Sequence, residues 1–298
     1  MYTIGIDIGG TNARVALIDS QMNILNKKQI KTENRKFNHV LEDLIYLVSQ
    51  IDPKSQAQAI GIACAGPLDL DKGMVLDAPN LSNWSYKPFV SVIEEKTGLK
   101  TYLTNDANAA ALAQDIGNNN YKSIVFITVS TGIGGGLVYD HKLIEGKFGY
   151  AGEIGSMIIS DLDNDHPSLY KGTLESLCSG PALAKLASEK YEKTMKAEDL
   201  FRLYYKNDPL AMDLINLWVE LFSRSIANLV QILEPEIFYL GGAVIINNPF
   251  LLKKIEEKTK EMVFDGLKDK IVLRPAKYKD DASLIGAAYH AKNKIKGE

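Results

Sequence analysis

The chain has 298 residues, long for a single hydrophobic core, so two domains of ordinary size are expected. Hydrophobic residues make up 46% and charged residues 24%, ordinary globular usage that excludes a fibrous or disordered chain. A net charge of -3 excludes a global attraction to nucleic acid or anionic lipid, so any bound phosphate must be held locally.

The opening MYTIGIDIGG enters a strand-like run directly, without the basic and apolar regions of an export signal. The longest apolar stretch, IVFITVSTGIGGGLVY, is broken by Ser, Thr and four glycines and falls short of the ~20 apolar residues of a membrane span. A cytoplasmic location is expected. The two cysteines, Cys64 and Cys178, lie far apart in apolar or small-residue surroundings and are expected as buried thiols, too few for a structural zinc site.

In chain order, strand patterns occur at YTIGIDI, ARVALID, AIGIACAG, TYLTND, SIVFITVS, GGLVYD, IFYLGG and IVLRPA. Helical periodicity separates them. FNHVLEDLIYLVSQI places Phe37, Val40, Leu41, Leu44, Ile45 and Val48 on one face. Further helices are expected at PFVSVIEEKTG, NAAALAQDIG, GPALAKLASEKYEK, PLAMDLINLWVELFSRSIANLVQIL and PFLLKKIEEKTKEMV. Pro209 opens the longest and Pro235 follows it, the positions where proline is tolerated. Trp218, Leu221 and Phe222 on this helix belong to a core or to a dimer face, the core being the expectation. Alternating strands and helices define an α/β protein. IGIDIGGTNARVALID and VFITVSTGIGGGLVYD share one strand, glycine corner, strand grammar, as two related halves would.

The corner DIGGTN offers main-chain amides together with Thr11 and Asn12 as anion donors, and STGIGGG offers the same again. Neither is a Walker A or a dinucleotide fingerprint, and each alone also fits a plain hairpin turn. Asp7, an ionised group inside a strand, requires a partner, a metal or an open cleft. Two donor-rich corners and one carboxylate together suggest a polyphosphate with Mg²⁺. In LTNDANAAALAQ, Asn105 and Asp106 stand at a strand-to-helix junction, as a helix cap or as an orienting amide beside a general base. Asn80, Glu153 and Glu175 are candidate acceptors for neighbouring sugar hydroxyls, or solvated loop residues. Gly241 and Gly242 end a strand in a corner open to a flat nucleoside.

The ordered set DIGGTN, CAGP, NDANAAAL, STGIGGG, AGEIG and LGGAV resembles the ROK family of bacterial sugar kinases, repressors and open reading frames, from about residue 2 to residue 290. The resemblance implies a two-domain actin-like ATPase (ribonuclease H-like) fold with a cleft between domains, divided as 1–118 plus 281–298 and 119–280. It implies phosphate contacts at Gly9, Gly10, Thr11, Asn12, Thr131 and Gly132, adenosine by Gly241, Gly242 and Ala243, and ATP-borne Mg²⁺ near Asp7. It implies a sugar held by Gly66, Asn80, Asn105, Asp106, Glu153 and Glu175, with Asp106 as catalytic base. Sugar and ATP are then the partners, with no nucleic acid or membrane, and a homodimer is expected.

Two departures from the family pattern stand out. Ser156 occupies the place of the family's histidine after Glu-x-Gly, and SDLDNDHPSLYKGTLE lacks the cysteines of its zinc loop. No zinc is expected, and His166 is expected alone and solvent-exposed. A first strand at residue 2 leaves no room for the repressors' helix-turn-helix, so an ATP-dependent kinase for a hexose or N-acetylhexosamine such as glucose or N-acetylmannosamine is expected, acting on the 6-hydroxyl. The alternatives are a β-glucoside kinase of the same family, a non-catalytic sugar and nucleotide sensor, and a bare actin-like ATPase.

Overall fold

The computed structural model describes residues 1–76, 78–163, 166 and 169–297, with the backbone alone for Pro79, Asn80 and Ser82. The chain opens with strands β1 (Tyr2–Ile8), β2 (Asn12–Ile18) and β3 (Ile24–Lys31), then passes through helix α1 (Phe37–Ile51) to β4 (Ala57–Cys64). A short pair, β5 (Leu68–Asp69) and β6 (Met74–Val75), precedes a 3-10 segment at Pro79–Trp84, α2 (Phe89–Thr97), β7 (Lys100–Asn105) and α3 (Asp106–Asp115). The pattern then begins again with β8 (Ser123–Val129), β9 (Ile133–Tyr139) and β10 (Lys142–Leu143). Helices α4 (Leu174–Cys178), α5 (Gly180–Lys190), α6 (Ala197–Tyr204) and α7 (Pro209–Leu233) lead to β11 (Ile237–Gly241), α8 (Ala243–Ile246), α9 (Phe250–Lys260) and β12 (Leu273–Pro275), and α10 (Ala282–Lys296) closes the chain.

Each half forms one five-stranded sheet, ordered β3-β2-β1-β4-β7 and β10-β9-β8-β11-β12. In both, three antiparallel strands are followed by two added in parallel. The internal echo in the sequence is therefore a repeat of topology: the β1–β2 hairpin holds in one sheet the place of β8–β9 in the other. Their corners differ in length. Ile8 faces Ala13 across Gly9 to Asn12, whereas Val129 faces Ile133 across Ser130 to Gly132.

Alternation on β1 explains where its polar residue goes. Ile4, Ile6 and Ile8 pack beneath α1 in one core, so Gly5 and Asp7 turn toward α10 on the opposite face. The second core gathers Val125, Ile127 and Phe238 against α7, whose Trp218 and Phe222 stack 5.0 Å apart. Trp218, Leu221 and Phe222 are all buried there, which resolves the choice between core and dimer face. Between the sheets lie α10 and α3: α10 packs on β1, β4 and α3, and α3 packs on β8 and β9. Close approach requires glycine, because a Cβ on Gly61 would come within 1.8 Å of the Ala287 oxygen and one on Gly286 within 1.7 Å of the Ala109 oxygen. The alanine run of α3 serves the same purpose.

Helix α1 buries the expected Phe37, Val40, Leu41, Leu44 and Val48, adding Leu47 and Ile51 while Ile45 stays half-buried. Strand β3 was not anticipated, since its Lys27, Lys28 and Lys31 leave no apolar alternation; it is an edge strand, where charge is tolerated. Both cysteines are free and buried, as expected. No helix among the described residues is long and apolar enough to cross a membrane.

Candidate active site

Parallel pairing aligns the carboxyl ends of β1, β4 and β7, because Asp7, Ala63 and Thr104 share one register row and Ile8, Cys64 and Asn105 the next. The loops leaving that edge carry the candidate residues, at the end of a parallel sheet where α/β proteins commonly place ligands. Asn105 is the N-cap of α3: its Oδ1 accepts from the amides of Ala107 at 2.9 Å and Asn108 at 3.3 Å. Asp106 follows at the first helical position, and one of its oxygens accepts from Ala107 N at 2.8 Å.

A cavity of about 440 Å³ opens at this junction, and it contains Gly66, Asn105, Asp106, Gly132, Glu153 and Glu175. Five of the six expected sugar-binding positions thus meet in one space, reached from both sheets. The sixth, Asn80, lies in the 3-10 segment, and its side chain is outside the described residues. Glu175, in α4, accepts from the amide of Ile133 at 2.6 Å, which ties it to the second hairpin. Gly132 leaves the room this needs, since a Cβ there would sit 2.8 Å from Glu175 Oε2.

Charge crowds this cavity. Burial first, and then the neighbouring Asp7 carboxylate, raise the Asp106 pKa from 3.8 to about 6 against the Ala107 hydrogen bond, with Glu153 adding to the rise. The residue keeps part of its surface open to the cavity. Glu153 is exposed at the cavity, and partial desolvation by the protein around its carboxyl, then the nearby Glu175, push its pKa up.

A second cavity, of about 660 Å³, adjoins the first, and Ser130 lines both. Its walls are mainly apolar, with Pro181, Ala184, Phe201 and Val244, and Asn247 and Asn248 supply amide groups. Thr131 and Ala243 line it as well. Gly241 and Gly242 form the corner behind Ala243. Gly242 has φ of +82° and a Cβ on it would lie 2.3 Å from Val129 O, so the corner is packed directly on β8. A flat apolar base with amide edges suits such a pocket. Two further glycines of STGIGGG have another role: Cβ atoms on Gly134 and Gly136 would crowd Ala107 and Ala111, so this pair seats α3 on β9.

The first hairpin contributes to neither cavity. Gly9 N donates to Asn12 O at 3.0 Å, and Thr32 braces the corner through its Oγ1 to Gly9 O at 2.7 Å and its amide to Thr11 O at 2.9 Å. The amides of Gly10 and Thr11 have no acceptor among the described residues. Asp7 is paired with its cross-strand neighbour Arg14, which also reaches Asp281 at 3.2 Å. Both Arg14 contacts fall on Asp7 Oδ2, so a divalent ion at Oδ1 would sit beside a guanidinium of its own charge sign, which opposes a metal held by Asp7 directly.

Among the described residues no group of three His, Cys, Asp or Glu side chains is placed to hold a metal. Ser156, at the family's histidine position, lines the first cavity. His166 corrects the expectation of exposure: it is half-buried, and its Nδ1 accepts the amide of Leu169 at 3.1 Å.

Several lining residues escaped sequence reasoning. Asn108 stands one turn after Asn105 on the same helix face, a spacing that signals it. Phe201 and Arg202 come from α6, and Tyr205 caps it; the AEDLFRLY pattern is amphipathic but short. Ser130 opens STGIGGG and Tyr150 precedes AGEIG, and neither carries a signal of its own.

The chain is similar over its whole length to known proteins. The chain is 30% identical to an N-acetylmannosamine kinase of Salmonella typhi, with 97% of each chain covered. A ROK hexokinase from Thermus thermophilus superposes with a TM-score of 0.91 at 30% identity over 100% of both chains. A ROK family glucokinase from Streptomyces griseus, solved with glucose and AMPPNP, superposes with a TM-score of 0.81 at 25% identity, covering 98% of this chain and 100% of that one. The fold is that of the two-domain actin-like ATPases. The sequence profile of the ROK family matches residues 3–294, and the chain belongs to that family.

Proposed function

We propose that this chain is an ATP-dependent sugar kinase that transfers the γ-phosphoryl group to a hydroxyl, the 6-hydroxyl, of a hexose or N-acetylhexosamine such as glucose or N-acetylmannosamine. One observation carries the reading: a carboxyl with a pKa of about 6 shares a cavity with Asn105, Glu153 and Glu175, beside a pocket suited to a nucleoside. Asp106 takes the proton of the attacking hydroxyl as its oxygen bonds to phosphorus and the bond to ADP breaks. Asn105 orients that hydroxyl, and Glu153 and Glu175 accept from other hydroxyls of the ring. Thr131 and Gly132 contact phosphate from one sheet, and Gly9 to Asn12 from the other. Adenosine lies by Gly241, Gly242 and Ala243. Bound Mg²⁺ would neutralise charge on the phosphates, and no ligand to it is assigned from this chain. Residues 1–118 plus 281–298 and 119–280 form the two lobes, whose closure excludes water and limits ATP hydrolysis.

The test is ADP release by wild type and Asp106→Asn over glucose, N-acetylglucosamine, N-acetylmannosamine and a β-glucoside. Sugar-dependent release by wild type, cut by ~10²-fold or more in the variant with nucleotide affinity kept, is expected. A variant as active as wild type removes the base assignment, and hydrolysis that no sugar stimulates removes the kinase.

A further inference from the structure

A third cavity, of about 670 Å³, lies beside the acceptor cavity and has no place in the reaction described so far. Residues 68–71 and the open edge strand β7 line it on one side, α10 closes its depth through His290 and Lys294, and the 145–150 loop covers it. Gly149 and Tyr150 line this cavity and the acceptor cavity alike. The same loop runs on to Glu153. An occupant of the third cavity would therefore rest on the segment that delivers Glu153 to the acceptor.

The lining narrows what that occupant is. Asp69, Asp71 and Glu145 face Lys147 and Lys294, so opposite charges offset one another and leave no positive field to hold a phosphate. Tyr102, Phe148 and Tyr150 bring aromatic rings. At the depth stands His290, 5% exposed, with no hydrogen-bond partner for its ring among the described residues. Burial and then the charge of Lys294 lower its pKa to about 4, so the imidazole is neutral near pH 7, with one nitrogen donating and the other accepting. Its ring nitrogens, without a protein partner among the described residues and lining the cavity, are free to pair with a ligand hydroxyl, which can both donate and accept. The volume falls within the range of small-molecule sites.

We propose that this cavity is a second carbohydrate subsite for a neutral, hydroxyl-bearing glycosyl ring, bound at His290 and between the aromatic side chains. The proposal rests on the sugar-kinase reading above. The ring has two possible sources: the second unit of a disaccharide acceptor, or a separate sugar whose binding orders the 145–153 loop.

The test uses the full chain, with cellobiose and maltose as probes in ligand-observed saturation-transfer NMR and in ADP-release kinetics beside glucose. Two variants block the cavity: His290→Phe fills its depth, and Asp71→Trp fills it from an exposed loop position without disturbing a core. Wild type is expected to bind at least one disaccharide, with a loss of ~10-fold or more in both variants while glucose kcat/KM stays within about twofold. If the disaccharide is itself phosphorylated with that same loss, its second ring occupies the site. If it is not phosphorylated but changes glucose turnover in wild type only, a separate sugar does. Should His290→Phe fail to fold, Asp71→Trp alone decides. Disaccharide binding absent from wild type, or unaltered by Asp71→Trp, overturns the proposal. Failure of the kinase reading appears separately, as ADP release that no sugar stimulates, and the NMR experiment still judges the subsite.

Discussion

Asp106 is where the sequence left two roles open, a helix-start acceptor and the base proposed above. It accepts from the first amide of its own helix and it lines the cavity. Two pH dependences follow from its raised pKa. As a base it must be ionised, so kcat/KM for the sugar is expected to fall below about pH 6, in proportion to the protonated fraction. Stability runs the other way. The folded state binds this proton more tightly than the unfolded chain, so ionisation opposes folding, fully above about pH 6 and not at all below the ordinary carboxyl value of 3.8. Asp106→Asn is therefore expected to raise Tm at pH 8 and to leave it unchanged near pH 3; an equal rise at both would show that the gain does not come from the charge. Asn108 makes a parallel case. Its Oδ1 is buried, without a partner, beside Gly152, one residue from Glu153. Asn108→Leu removes the orphaned acceptor and is expected to stabilise the fold by about 1 kcal/mol, since leaving such a group buried costs that order. If the acceptor serves the Glu153 loop, the same variant raises the sugar KM with the ATP KM unchanged, which parallel kinetics measure. The residues legible in the sequence here were those inside recognisable corners, namely Gly66, Asn105, Asp106, Glu153 and Glu175. Ser130 and Tyr150 were not, because their role depends on what the fold brings alongside them.

At the scale of elements, regular amphipathic periods were read to within a residue or two, as α1 and α7 show. Elements whose environment overrides their pattern were not. Strand β3 is charged because it is an edge, and α10 is small and mixed because it is enclosed between a sheet and another helix. Its sequence ASLIGAAYHAKNKIK shows no clean apolar stripe, since alanine and glycine are selected there for closeness. Gly286→Ala tests this. The added Cβ would meet the Ala109 oxygen at 1.7 Å, and backbone on both sides leaves no flexible side chain to yield. A loss of ~1–3 kcal/mol or more is expected from such overpacking, read by denaturant unfolding. Gly266→Ala, with no heavy atom within 4 Å of its Cβ, is the matched control and should change little. Equal stability of the two variants would mean that α3 and α10 separate at small cost.

At the scale of the molecule, two sheets of one topology face a shared layer of α3 and α10, and each sheet sends the carboxyl ends of its strands to the same region. The acceptor cavity draws Gly66, Asn105 and Asp106 from one side and Gly132, Glu153 and Glu175 from the other, so a sugar that touches all of them holds the halves in one relative position. The pocket proposed for the nucleoside meets that cavity at Ser130, whose carbonyl accepts the Gly180 amide at 2.8 Å and so joins the second hairpin to the start of α5. A ligand in either cavity thus fixes groups that the other must order. The ordering cost is met once, and whichever ligand binds second is spared it. Sugar is accordingly expected to tighten the binding of a non-hydrolysable ATP analogue by ~5-fold or more, a coupling of about 1 kcal/mol. Thermodynamic linkage requires the analogue to tighten sugar binding by the same factor. Calorimetric titration of each ligand in the presence and absence of the other measures both. Independent affinities would mean that the two cavities, though they share a wall, do not share a closure, and water exclusion would then need another device.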